Sequence, residues 1–291
     1  MGLLKIARYN PKIVLLADFM SEIESSLHVI GEKDSLNLLH TYWSEFLVTT
    51  KVLKDFDKNI DVLIKRIATI PRKGTPENHP KVLISGDFFV RFSPFFLREL
   101  REMYSEHGII VKSSDMYELT LYSSYHLAHI AAHSWKRDPY KFSTSLKALS
   151  TFWTRNAQLF LISKVVPVIM FLAERKQRKK YNKTGLMLED RNSLKLIIKN
   201  SKPLISLLIF GEAITTIGKG IEILEDSDYD SLILTGPINC LPFKISQAIL
   251  KPIYSEKKVP FLVFDSDISA ITPNMKRLIH ANIEQIKRRR T

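Results

Sequence analysis

Only one cysteine, Cys240, stands in this chain of 291 residues. That scarcity excludes an internal disulfide framework, and it excludes a metal cluster completed by the cysteines of a single copy. No positively charged, apolar segment of the kind that directs secretion opens the chain, and a cytosolic location is the expectation that follows. No uninterrupted apolar run reaches bilayer length. The most apolar stretch, AQLFLISKVVPVIMFLAE (residues 157–174), is broken by Lys164 and Pro167 and is shorter than a spanning helix needs. It reads as a buried helix kinked at the proline, and no membrane partner is expected. Internal repeats and low-complexity segments are missing too.

Acidic charge is also in short supply. Asp and Glu number 30 against 43 Lys and Arg, a net charge of +13. The excess gathers in ERKQRKKYNK (residues 174–183) and in the KRRR near the end of the chain. Such a surface favours anionic partners without choosing among nucleic acid, CoA phosphates, membrane and acidic protein. The basic run alone reads most simply as a solvated helix end, and nucleic acid is not the expected partner. What is abundant is apolar material, 45% of the chain, enough for one large domain or two smaller ones with real cores.

Its distribution divides the chain. From Ile13 to about Ile70 apolar positions recur at helical spacing, as in Leu36, Leu39, Trp43, Phe46 and Leu47, with GEKD (residues 31–34) between two helices. This helical lead-in, residues 1–75, ends in the linker-like PRKGTPENHP (residues 71–80). From residue 76 to 291 short apolar strands alternate with helices. The strands are expected at Val82–Ser85, Ile109–Val111, Leu232–Thr235 and Phe261–Phe264, and a long helical insertion interrupts them at about residues 138–200. Alternation of this kind predicts an α/β fold with an open, doubly wound, mainly parallel four-stranded sheet, Rossmann-like, carrying the lead-in and the insertion.

Ligands of such sheets bind at the carboxyl ends of the strands, where strand order reverses. The loops expected there hold the candidate residues. Asp87 and Arg91 lie just past the first strand; Arg91 offers a planar fork for a phosphate or carboxylate, or else pairs with Asp87 to shape the loop. Asp265 and Asp267 follow the last strand, as a carboxylate pair or as a helix cap. GPINCLPFK (residues 236–244) puts Cys240 at the start of a helix, where unpaired backbone N–H groups favour a thiolate. The alternative is a small buried apolar residue. HLAHIAAH places His126, His129 and His133 near one helical face, but without the glutamate of the zinc protease motif, and partly buried or surface histidines are the simpler reading. GEAITTIGKG (residues 211–220) is neither a P-loop nor a dinucleotide fingerprint.

Three segments together resemble a known family. GDFFVRFSPFFLRELREMYSEHGIIV (residues 86–111), GEAITTIGKGIE (residues 211–222) and GPINCLP leading to VPFLVFDSD (residues 236–267) are similar to the 2-hydroxyacyl-CoA dehydratase and benzoyl-CoA reductase superfamily, in particular to proteins related to acyl-CoA dehydratase activases. The resemblance spans roughly residue 81 onward and implies several things. Cys240, framed by Gly236, Pro237 and Pro242, would be an iron–sulfur ligand. The substrate would be a CoA thioester, and any enzyme activity would be that of a dehydratase-like lyase or a reductase complex of anaerobic metabolism. This chain departs from the family in lacking the other cysteines, and its beginning resembles the middle of a family member. The cluster is therefore expected to be shared with a cysteine-bearing domain or subunit, with none in the isolated monomer. The alternative expectation is a non-catalytic binding protein that keeps the fold and uses its basic surface for an anionic partner.

Overall fold

The computed structural model describes residues 3–50, 55–137, 145–188, 194–209, 211–225, 228–266 and 270–290. Four strands, β1 (Lys81–Gly86), β2 (Ile110–Ser113), β3 (Ser231–Gly236) and β4 (Phe261–Asp265), pair in parallel in the order β2-β1-β3-β4. Every residue of β1, β2 and β3 is buried, as expected of a parallel sheet covered on both faces. The expected α/β class and the four expected strands are those found.

Alternate side chains serve alternate faces. Val82, Ile84, Ile233 and Phe264 pack with α5 (Pro94–Ser105) and α11 (Pro273–Arg290). Leu83 and Leu232 pack on the other face with α6 (Met116–Arg137), α9 (Ala213–Glu225) and α10 (Leu241–Lys257). The chain thus winds one way from β1 to β2 and the other way from β3 to β4, and order reverses between β1 and β3.

The lead-in forms α1 (Leu3–Ile30), α2 (Ser35–Thr49) and α3 (Phe56–Ala68). Their apolar sides share one core with Tyr117 and Leu121 of α6 and with Met170 and Tyr181 of α7 (Leu146–Tyr181), the main helix of the expected insertion. Residues 138–144 and 189–193 of that insertion lie outside the described residues; after them comes the short α8 (Leu194–Ser201). A buried charge cluster fastens these parts to the sheet edge. Lys112 of β2 meets Glu22 of α1 at 3.3 Å and Asp115 at 3.4 Å, while Arg178 of α7 meets Glu22 at 3.4 Å and Asp115 at 3.6 Å. Pairing is the condition for burying such charges at all.

One sequence expectation needs correction here. The apolar run of residues 157–174 is helical throughout and contains Pro167, but it is not a buried helix. Met170 and Glu174 face the interior, whereas Val165, Val168, Ile169, Phe171 and Leu172 are exposed. The run's composition is apolar on all sides, and among its described side chains only one side is buried.

Candidate functional site

The site is built where β1 and β3 end side by side. Gly86 pairs with Thr235, and the amide of Asp87 donates to the Thr235 carbonyl at 2.8 Å. Gly86 has φ +108°, and a Cβ there would lie 2.1 Å from the Thr235 carbonyl oxygen. No side chain fits, so the two loops can meet. Gly236 answers a second need. A Cβ on it would come within 2.6 Å of the Phe243 ring, and its absence lets α10 start directly over the end of β3.

Asp87 and Cys240 each open the helix that follows. Asp87 accepts from the amides of Phe89 (3.0 Å) and Val90 (3.2 Å) through Oδ1, capping α4 (Phe88–Arg91). Its Oδ2 is left to accept from the Cys240 thiol, 3.8 Å away across the crevice. Cys240 occupies the N-cap of α10, with Pro242 in the first turn behind it. Glu212, just before α9, completes the group: its Oε1 accepts from the Phe88 amide at 3.2 Å and its Oε2 lies 4.0 Å from Arg91 Nη1.

The electrostatics correct the expected thiolate. The Phe243 amide at the head of α10 does favour the ionised sulfur. Burial outweighs it, and the carboxylates of Asp87 and Glu212 add to burial, so the thiol is raised above its ordinary value. Glu212 is itself pushed up to about 7, by burial first and by Asp87 as well, against the opposing pull of Arg91 and the Phe88 amide. A thiol and two carboxyls in one crevice share one negative field.

Arg91 answers neither description read from the sequence. It is 2% exposed; Nη1 donates to the Gly86 carbonyl at 2.7 Å, and its nearest carboxylate is that of Glu212. It is neither an open anion fork nor the partner of Asp87, and instead holds the end of β1 in place. Asp265, at the end of β4, pairs with Lys244 of α10 and does not cap a helix, since α11 begins at Pro273; Asp267 lies outside the described residues. Pro237 accepts through its carbonyl from the Cys240 amide at 3.0 Å and so closes the turn that presents the thiol.

The histidines stand apart from this site. His126 is buried beside the Tyr122 hydroxyl at 3.1 Å, and His129 stacks on Tyr125. Among the described residues no three His, Cys, Asp or Glu side chains are grouped to hold a metal ion. The GEAITTIGKG segment makes no phosphate cradle, because residues 213–220 of α9 are buried and the Glu212 carboxyl stands just before them. Glu212 is the residue that sequence reading passed over; a lone carboxyl between Gly211 and an apolar helix was the available signal.

An apolar cleft of about 760 Å³ adjoins the crevice on the α1 side. Phe88 and Phe89 of α4, Phe92 just after it and Phe95 of α5 wall it, opposite Ile13 and Ala17 of α1. At its floor Asp18 accepts from the amides of Met116 (3.0 Å) and Tyr117 (2.9 Å), anchoring α6 to α1. No family model, curated protein or solved structure matches this chain.

Proposed function

We propose that this chain is a component of an acyl-CoA dehydratase or activase-like assembly, contributing its Rossmann-like sheet and Cys240 as one ligand of an iron–sulfur cluster shared with a cysteine-bearing domain or subunit. The observation that carries this reading is the placement of Cys240 at the reversal of strand order, half-buried and beside Asp87. Ile238, Leu241 and Phe89 stand exposed around it, an apolar rim of the kind that a second chain covers. The residues present fit one corner of a cluster and supply one thiol to it. The others must come from elsewhere, since the chain has no second cysteine.

A bound cluster would supply single electrons to a substrate at this edge. The chain's own residues would do the rest. Asp87 accepts from the thiol and would take up its proton if the sulfur became a ligand. Glu212, near 7, can take up or release a proton close to neutral pH, which suits acid–base work at this edge. Arg91 holds the end of β1 in place, and the phenylalanine-walled cleft would take the apolar part of a CoA thioester.

The test is iron and sulfide analysis after anaerobic purification, with the chain alone and mixed with candidate cysteine-bearing domains. The chain alone should carry no stoichiometric iron; the mixture should gain it; Cys240→Ser should lose it, while Cys240→Ala should unfold at the wild-type midpoint. Iron uptake unaffected by Cys240→Ser would overturn the proposal. No uptake with any such domain would favour a non-catalytic binding protein that keeps the loop.

A further inference from the structure

Four of the exposed apolar residues of α7 fall on one line. Val165, Val168, Ile169 and Leu172 have the i, i+3, i+4, i+7 spacing of a single helical face and are 43–59% exposed. Arg175, Lys176 and Lys179 continue that face toward the end of the helix and are exposed too. Phe152, Met170, Glu174 and Tyr181, on the opposite side, are buried. Beside α7, Ser124 of α6 faces Met170, and Leu127 and Ile130, farther along α6, are again exposed. Trp153, near the other end of α7, is half exposed.

The charge of this hairpin is as one-sided as its hydropathy. Residues 116–181, from the start of α6 to the end of α7, contain 11 Lys and Arg against 3 Asp and Glu, so they hold most of the chain's excess of +13. Of those three acids, Glu118 is buried against Lys219, Glu174 is buried beside Arg178 and Asp138 lies outside the described residues. No carboxylate is exposed on α7, whose only acidic residue is Glu174.

We infer that α7 lays this face on an anionic lipid bilayer. Exposed aliphatic side chains, continued by exposed cations on the same helix face, are what a membrane surface with acidic headgroups accepts. A second copy of the chain would set cations against cations. A nucleic acid would leave the aliphatic stripe in water. No crossing of the bilayer is involved, and among the described residues no helix is long and apolar enough for one; the sequence expectation of no membrane partner rested on the absence of a spanning run, and a helix lying on the surface needs none.

The experiment is co-sedimentation of the full chain with vesicles of phosphatidylcholine alone and of equimolar phosphatidylcholine and phosphatidylserine. Binding is expected to the second and not the first, and to weaken with added salt. Replacing Arg175, Lys176 and Lys179 with Glu should weaken it by roughly a hundredfold or more, at about fivefold per lost cation. Val168→Asp with Leu172→Asp should abolish it while circular dichroism and the unfolding midpoint stay at wild-type values, since both positions are exposed. Absence of vesicle binding overturns the inference. So does self-association that the Asp pair abolishes without any lipid effect, which would assign the face to a second copy. Heparin binding without vesicle binding would assign the charge to a soluble polyanion and overturn it equally.

Discussion

A carboxyl held out of water beside another carboxylate resists ionisation, and Glu212 is in that position. Its value rises from 4.5 to about 7 on folding. The folded chain therefore keeps a proton that the unfolded chain has released between those values. The group's contribution to stability is complete below pH 4.5 and is lost as pH rises through about 7. At about 1.4 kcal/mol per pH unit the ionised form costs the fold roughly 3 kcal/mol. Glu212→Gln removes that dependence. Urea unfolding midpoints measured across this window should fall with pH in the wild type relative to the variant; parallel curves would contradict the assignment. At this scale the sequence was half legible. Cys240 and Asp87 could be placed from their loops, because a strand followed by a Gly turn and a helix fixes where each points. Glu212 could not, because only the folded chain brings α9 to Asp87.

The site's elements meet through two glycines, and this sets the cost of changing either. Gly86→Ala would place a methyl on the Thr235 carbonyl in a backbone conformation, φ +108°, that alanine rarely adopts. Strain and overpacking together should cost roughly 2–4 kcal/mol, read as a lower denaturant midpoint; an unchanged midpoint would mean that the strand ends are not packed as described. The elements themselves were readable because β1, β3 and β4 are short, largely apolar runs closed by Gly or Asp, and because α5 begins with Pro94 at its first position. The burial of α7 was not readable. Periodicity cannot orient a helix whose apolar residues run around all sides, so the stripe Val165–Leu172 looked like core until its neighbours were known.

For the whole molecule, lead-in and insertion are one helical layer rather than two appendages, sharing the core of α1, α2, α3, α6 and α7 and the buried ion cluster at β2. That joining was hidden in the sequence, since Glu22, Lys112 and Arg178 each look like a surface charge when read alone. The layer flanks the sheet at β2 and leaves open the crevice between β1 and β3 that holds Asp87 and Cys240. Because the chain has a single cysteine, the central claim can be read at one atom. Cys240 should be alkylated by iodoacetamide when the chain is alone, and protected, by mass spectrometry of its peptide, once an iron-loaded cysteine-bearing domain is added without oxygen. Alkylation at the same rate in an assembled, iron-retaining complex would contradict the account, because the thiol would then be no ligand at all.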